Sequence, residues 1–315
     1  MVNKPLVSAP GTVIIRDSTL REGLDVPNVD FTIEQKLRIA RLLDNAKVPE
    51  IEIVAPAKIL QDGRFARKLK DEGLPIVTSG LVYSFSPRCQ EEILEICECL
   101  NRIDLLMPVS EKRRPYDRNA KKSLLLEVLE YSLRHHSDVG VGFPHATQTE
   151  PEFLLEISRE CVKNGAKRVV VYDTNGSSDP FMVYDLIKRL SESLDAPLFF
   201  HGHNDLGLAT ANSLAAVYAG ADGLDTTVNG LGDRAGNASL EQVVVALHVK
   251  GFHTGISFKD LKGLAEAVAQ ESGMEVSRLA PIVGDYVYTH KSPGHLETPG
   301  LFEAFDPSLI SPIGR

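Results

Sequence analysis

The chain has 315 residues, of which 43 are acidic and 34 basic, so its formal net charge is −9. This charge and the lack of a basic block beyond Lys112-Arg113-Arg114, which we interpret as a solvated loop, argue against nucleic-acid or anionic-membrane partners. Four cysteines form no disulfide framework in a chain of this size, and no signal peptide or membrane-spanning apolar run is visible. We therefore expect a cytoplasmic protein.

Eight short runs rich in apolar and β-branched residues predict eight β-strands. They are residues 12–16, 50–54, 75–78, 103–107, 138–142, 168–172, 198–201 and 223–228. Amphipathic segments between them predict helices at residues 33–45, 91–100, 124–134, 152–164, 182–194 and 209–219. Because strands and helices alternate, we expect parallel strands joined by right-handed crossovers. Eight such units in about 245 residues fit a closed (β/α)8 barrel, the TIM barrel of α/β proteins.

An open, doubly wound sheet is the alternative fold. Such a sheet normally has a glycine-rich phosphate-binding turn after its first strand, and residues 16–19, Arg-Asp-Ser-Thr, do not form one. We predict that the barrel spans residues 1–251 and ends with a helix at 240–249. Residues 252–315 are expected to form a small C-terminal appendage that covers the barrel mouth, with helices at 258–270 and 274–279.

Polar residues gather at the predicted strand ends, where the chemistry of this fold is carried out. His201 and His203 follow the seventh strand and point to the same side, because side chains alternate along a strand. Two imidazoles held in this way form half of a transition-metal site, although a hydrogen-bonded pair in a polar loop is the alternative. The other strand ends carry further acidic, basic, amide and hydroxyl side chains: Arg21, Glu22, Glu52, Asn175, Thr226, Thr227 and Asn237. This clustering favours an active site.

Three motifs occur in the order typical of one superfamily. Residues 17–23, DSTLREG, resemble the opening motif of the DRE-TIM metallolyases, and residues 201–212, HGHNDLGLATAN, resemble their HxHxDxGxAxAN signature. Residues 230–237, GLGDRAGN, resemble the GxGERxGN loop of the Claisen-condensing branch, which comprises the homocitrate, isopropylmalate and citramalate synthases. The chain is thus identified as similar to this branch over nearly its whole length.

The resemblance implies roles for individual residues. The implied ligands of one divalent cation, Zn²⁺, Mn²⁺ or Mg²⁺, are Glu22, His201, His203 and Asn237. Arg21 would stabilise the alkoxide formed from a 2-oxo acid, Glu52 would pair with Arg21, and Thr227, or else Thr226, would contact the substrate carboxylate. Asp17 and Asp205 are expected to orient these groups, one near the metal and one by supporting a histidine.

A histidine-bearing tail segment supplies candidates for the catalytic base. Residues 289–295, THKSPGH, resemble a segment of homocitrate synthases, and either His290 or His295 would deprotonate the acyl-CoA. Tyr288 and Tyr286 are candidate hydrogen-bond partners, and the tail would act within a homodimer. The alternative is that both histidines only anchor a loop, and Pro293 changes the backbone before His295.

The chain departs from the homocitrate synthase pattern where the far carboxylate of the oxo acid is held. After the fifth strand it carries His145 and Gln148 in place of an acidic pair and an arginine, and Ser79-Gly80 replaces an arginine after the third strand. We assign His145, Gln148 and Asn175 to substrate binding. Without the two guanidinium groups there is no bidentate clamp for a second carboxylate, so we expect an oxo acid smaller or less charged than 2-oxoglutarate.

The function predicted from the resemblance is that of a metal-dependent acyl-CoA:2-oxo acid C-acyltransferase. The alternative is a carbon–carbon lyase of the 3-hydroxy-3-methylglutaryl-CoA lyase type, to which the Gly-Phe-Pro-His stretch at 142–145 is faintly similar. That branch carries a cysteine in its glycine-rich loop after the eighth strand, and the corresponding loop here has none. A barrel that binds metabolites without catalysis is a third class, and the intact set of metal ligands argues against it.

Overall fold

The computed structural model describes residues 11–112 and 116–310, so Arg113 and Arg114 of the basic triplet lie outside it. Eight parallel strands close into a barrel in the order of the sequence. They are β1 (Ile14–Asp17), β2 (Glu50–Val54), β3 (Val77–Tyr83), β4 (Arg102–Leu106), β5 (Val139–Phe143), β6 (Val169–Asp173), β7 (Leu198–Gly202) and β8 (Gly223–Thr226). The predicted TIM barrel is confirmed, and the doubly wound alternative is wrong.

Most of the helices surround the barrel and cover the outward faces of its strands. They are α1 (Thr19–Glu22), α2 (Ile33–Asn45), α3 (Ile59–Glu72), α4 (Cys89–Ile96), α5 (Arg118–His135), α6 (Pro151–Lys163), α7 (Pro180–Ser191), α8 (Ala209–Tyr218), α9 (Leu240–Val249), α10 (Phe258–Ser272) and α11 (Pro293–Glu297). Helix α3 is absent from the predicted set. Its buried face contains Asp62, which accepts a hydrogen bond from Lys36 on α2 at 2.8 Å, so polar residues interrupt its apolar pattern.

Two of the predicted element ends differ from the structure at residues named above. Strand β3 continues to Tyr83, so Ser79 and Gly80 lie inside it; a Cβ at Gly80 would come within 2.7 Å of Leu100 and Val54, which is why a glycine occurs within the strand. Helix α4 ends at Ile96, so Cys97 and Cys99 lie in the turn beyond it rather than on a helix. All four cysteines belong to the described residues, and each has a free thiol.

Inside the barrel, ion pairs replace part of the usual aliphatic filling. Arg16 on β1 is completely buried and donates two hydrogen bonds to Asp225 on β8, from Nε at 2.7 Å and from Nη2 at 2.8 Å. Its Nη1 also contacts Asp104 on β4, which in turn pairs with Arg168 at 2.9 Å. These pairs hold the Asp225 carboxylate in one orientation below the barrel mouth.

The segment after α9 begins at the amino end of the barrel, where the backbone of His253 pairs with Gly11 and Val13 beside β1. Helix α10 then packs against α2 and reaches the carboxyl end, where Asn229 donates to the Ala265 carbonyl at 2.8 Å. The predicted helix at 274–279 is wrong. Helix α10 ends at Ser272, and Gly273 after it has a left-handed φ of 69°. The chain then turns where Ser277 accepts a hydrogen bond from the Leu279 amide. No helix in the described part of the chain is long and apolar enough to cross a bilayer.

Candidate active site

Helix α1 brings Arg21 and Glu22 to the mouth of the barrel. The chain turns at Asp17, whose carboxylate accepts a hydrogen bond from the Thr19 amide at 3.0 Å. The Ser18 amide donates to the Thr226 carbonyl at 2.7 Å and so attaches the helix to β8. Arg21 and Glu22 are consequently fixed and buried, with 7% and 4% of their surface exposed.

Glu22, His201 and His203 converge on one point, as the sequence predicts. His201 Nε2 lies 3.4 Å from both Glu22 Oε1 and His203 Nε2, and His203 Nε2 lies 4.0 Å from the same carboxylate oxygen. Ligand atoms bound at about 2.0–2.2 Å to one ion are separated by about 3–4 Å, so this donor set fits a divalent transition metal. Among the described residues, this is the one group of three ligating side chains close enough to share an ion.

Asn237 completes the predicted ligand set. Its Oδ1 is buried without a hydrogen-bond partner in the described residues, and its Nδ2 lies 3.2 Å from His201 Nε2. Half a turn of the amide places the oxygen beside the imidazoles, where it can serve as a further ligand. A Cβ at Gly232 would lie 2.1 Å from Oδ1, so a glycine is needed to leave room for this amide.

The carboxylate that contacts His201 is Asp225, and the prediction that Asp205 supports a histidine is wrong. Asp225 Oδ2 lies 3.0 Å from His201 Nδ1, which directs Nε2 toward Glu22. Asp205 instead pairs with Arg234 at 2.7 Å in the loop after β8. Sequence proximity to His203 favoured Asp205, whereas the register of β7 against β8 places Asp225 directly beside His201.

The protonation states of Glu22 and His203 suit metal binding. Burial alone would raise the pKa of Glu22, but Arg21 and the two histidines hold it well below its ordinary value. Burial and the neighbouring His201 lower the pKa of His203 to about 4, so this imidazole is neutral at neutral pH. For His201, burial is outweighed by hydrogen bonds to Asp225 and Glu22, which raise its pKa to about 9. His201 would have to release this proton to act as a metal ligand.

Replacing Asp225 with asparagine is expected to weaken Zn²⁺ or Mn²⁺ binding by about 10- to 100-fold, because His201 loses the carboxylate that orients it. Isothermal titration calorimetry on the folded variant measures this loss. The matched control is Asp205→Asn, which removes the Arg234 contact and should leave metal affinity unchanged. Equal weakening in both variants would contradict the assignment of Asp225.

Arg21 and Glu52 are in contact, as predicted. Arg21 Nε donates to Glu52 Oε1 at 2.6 Å, and Arg21 Nη1 also pairs with Glu22. Ser18 donates a further hydrogen bond to Glu52 at 3.2 Å. The guanidinium thus lies between the Glu22 carboxylate and the completely buried Glu52. This arrangement can present a fixed positive charge to an oxygen of a molecule bound at the barrel mouth.

Two strand-end threonines offer unused hydroxyl groups. The Oγ1 atoms of Thr226 and Thr227 are buried and have no hydrogen-bond partner within the described residues. The backbone of Thr227 pairs with Ala238 and Leu240, which fixes its position close to the Asn237 loop. Either hydroxyl can donate to a carboxylate.

His145, Gln148 and Asn175 lie in the loops that follow β5 and β6. His145 has a left-handed backbone, with φ of 61°, and its amide donates to Thr174 Oγ1 at 2.7 Å, which joins the two loops. His145 and Gln148 are half-buried, whereas Asn175 is exposed and accepts a hydrogen bond from Ser177 in its own loop. All three are on the carboxyl side of the barrel, and Asn175 is the most peripheral.

The tail histidines pack within the tail. His290 Nε2 lies 3.4 Å from Glu303, and the His295 ring stacks on Phe302 at 3.7 Å between centroids. Pro293 begins the short helix α11, which contains His295. The expected partnership of the tyrosines with these histidines is wrong: Tyr288 donates to the Ile282 carbonyl, and the Tyr286 hydroxyl accepts from Arg278.

Asp17 makes the stability of the protein depend on pH. Burial raises its pKa from 3.8 to about 7. Above pH 4 the unfolded chain releases this proton while the folded protein keeps it, so stability falls as pH rises toward 7. The expected loss is up to about 4 kcal/mol. Urea unfolding of the wild type and Asp17→Asn between pH 4 and 8 tests this; parallel pH profiles would contradict it.

The predicted site does not include three residues that lie beside it: Arg16, Tyr172 and Asp225. Each lies inside a strand, where an acid, a base or a phenol among apolar neighbours is the available signal. The Tyr172 ring packs 4.7 Å from the His201 ring.

Comparisons with known proteins agree with these observations. A family model described as HMGL-like matches residues 12–268. A homocitrate synthase of Methanopyrus kandleri is 34% identical over 311 residues, which cover 96% of this chain and 77% of that protein. A 2-isopropylmalate synthase of Saccharolobus solfataricus is 36% identical over 315 residues, covering 96% and 80%.

Solved structures show the same fold. The hydroxymethylglutaryl-CoA lyase of Pseudomonas aeruginosa superposes with a TM-score of 0.72 at 19% identity, covering 86% of this chain and 96% of that one. The expected superfamily is confirmed by the family model and by the synthases above. The chain belongs to the HMGL-like family of TIM-barrel enzymes.

Proposed function

We propose that the protein is a metal-dependent acyl-CoA:2-oxo acid C-acyltransferase. The observation that carries this proposal is the convergence of Glu22, His201 and His203 beside the buried guanidinium of Arg21. It is supported by relatives named homocitrate and 2-isopropylmalate synthase that match nearly the whole chain. The reaction is the condensation of an acyl-CoA, such as acetyl-CoA, with a 2-oxo acid, followed by hydrolysis of the thioester.

Arg21 acts on the keto group of the acceptor, beside the residues that would hold a cation. When bound, a divalent cation, Zn²⁺, Mn²⁺ or Mg²⁺, polarises this carbonyl. Glu22, His201 and His203 would hold the cation, and the amide oxygen of Asn237 would be a further ligand. Arg21 stabilises negative charge on the keto oxygen as the carbon–carbon bond forms, because a fixed buried guanidinium needs little rearrangement. Glu52 keeps the guanidinium in place through its 2.6 Å contact with Nε.

The donor must first lose a proton. A tail histidine, His295 or His290, takes it from the acyl carbon next to the thioester. This carbon then forms a bond to the keto carbon, and the resulting alkoxide takes up a proton. Water finally cleaves the thioester, which releases the free thiol of CoA and a new carboxylic acid. In this scheme, the hydroxyl of Thr227, or else that of Thr226, holds the acceptor carboxylate, and His145, Gln148 and Asn175 surround its side chain.

A panel of acceptors tests the proposal. Release of free thiol from acetyl-CoA is measured with glyoxylate, pyruvate, 2-oxoisovalerate and 2-oxoglutarate. We expect thiol release with a monocarboxylic acceptor and slower turnover of 2-oxoglutarate. Preferential turnover of 2-oxoglutarate would show that the expected acceptor is wrong. Absence of thiol release, together with cleavage of a hydroxyacyl-CoA, would establish the lyase alternative.

We further propose that residues 252–315 act as a cover over the barrel mouth of the partner subunit in a cytoplasmic homodimer. This is supported by His290 and His295, which lie against Glu303 and Phe302 of their own tail. Mixing Arg21→Ala with a double variant, His290→Ala and His295→Ala, tests the arrangement. Recovery of activity on mixing is expected, and no recovery after subunit exchange would contradict it.

A further inference from the structure

The hydroxyl of Tyr172 is a buried polar group that the proposed mechanism does not use. Tyr172 occupies the next-to-last position of β6 and is 5% exposed. Its hydroxyl has no hydrogen-bond partner among the residues the structure describes. An unpaired buried hydroxyl costs free energy, and an oxygen atom of a bound ligand would recover it.

The position of this phenol relates it to the candidate active site. Tyr172 pairs in register with His201, and the two rings lie 4.7 Å apart. On the other side is Gly142 of β5, where a Cβ would lie 2.9 Å from the tyrosine ring and 3.5 Å from its hydroxyl. The absence of a side chain at Gly142 therefore gives the phenol its place inside the barrel.

The surroundings of Tyr172 are apolar or already paired. Leu81, Leu106 and Phe199 pack with it in a cluster separate from the main core. The interior guanidinium groups of Arg16 and Arg168 are both bound to carboxylates. A ligand beside Tyr172 would thus meet a neutral hydrogen-bond donor, apolar surface and guanidinium groups already paired with carboxylates, including Arg21 with Glu52. Burying a second carboxylate there would therefore be costly.

We propose that Tyr172 determines acceptor specificity by donating a hydrogen bond to an oxygen of the bound 2-oxo acid. The subsite that it forms with Gly142 and Leu106 favours acceptors with an uncharged side chain. This inference rests on the proposed function, because it takes the acceptor to be an oxo acid bound at the Glu22–His201–His203 cluster.

The test compares wild type with Tyr172→Phe, which removes only the hydroxyl. Protein loaded with Zn²⁺ or Mn²⁺ is titrated calorimetrically with glyoxylate, pyruvate, 2-oxoisovalerate and 2-oxoglutarate, and kcat/KM is measured by thiol release. For the preferred acceptor, affinity and kcat/KM should each fall about 10- to 100-fold. Metal affinity and the KM for acyl-CoA should not change. A tyrosine difference spectrum induced by the acceptor should disappear in the variant.

The matched control is Tyr218→Phe, because this tyrosine packs on Phe252 outside the barrel and should leave every measurement unchanged. Equal acceptor affinities of Tyr172→Phe and wild type would overturn the assignment of Tyr172 alone. A loss of metal binding that accounts for the loss of acceptor binding would also overturn it. Wild-type protein that binds an oxo acid without thiol release would overturn the proposed function alone, and calorimetry would still decide the role of Tyr172.

Discussion

Replacing His203 with alanine is expected to lower divalent-metal affinity by more than about 100-fold and to abolish turnover, because the loss of a direct ligand exceeds the effect of losing a supporting group. His203 is 6% exposed, and its Nε2 faces both Glu22 and His201, so no neighbouring side chain can replace it without rearrangement. Metal content after dialysis and calorimetric titration with Zn²⁺ and Mn²⁺ measure the effect.

The control for this prediction is His253→Ala, an exposed histidine at the opposite end of the barrel. It should bind metal and turn over like the wild type. If His203→Ala retained one tightly bound ion, the site built from Glu22, His201 and His203 would be wrong. Thermal unfolding of both variants shows whether a loss of metal reflects a loss of fold.

Replacing Arg21 with alanine is expected to reduce kcat by about two to three orders of magnitude while metal remains bound, as when an oxyanion-stabilising donor is removed. The Ala variant leaves Glu22 and the histidines in place, so binding and chemistry can be separated. Arg21→Lys should recover only part of the rate, because lysine keeps the charge but cannot reproduce the Nε contact with Glu52.

Arg88→Ala is the matched control for Arg21, because Arg88 is a surface arginine that pairs with Glu91 outside the barrel. Its kcat should equal that of the wild type. Unchanged turnover in Arg21→Ala would refute the assigned role, whereas loss of the metal in this variant would move Arg21 from the chemical step to metal retention.

The barrel itself was predictable because its signals are local. Apolar runs indicate strands and amphipathic segments indicate helices, each within a few residues. Each strand then pairs with its neighbour in the chain. One error has a cause that the sequence does not show. The predicted third strand ends before Ser79-Gly80, because a small residue indicates a turn when the side chains that pack on it are unknown.

The sequence by itself determined the fold and the His-x-His pair, because alternation of strands and helices and spacing along one strand are enough to specify them. Glu22 was implied by the resemblance of residues 17–23 to a known motif. Only the tertiary structure decided which carboxylate supports His201, and it placed Tyr172 beside that histidine. Arg16 and Asp225 are 209 residues apart in the chain and meet because the last strand closes on the first. Closure of the barrel is a long-range event, so pairings across it leave no periodic signal in the sequence.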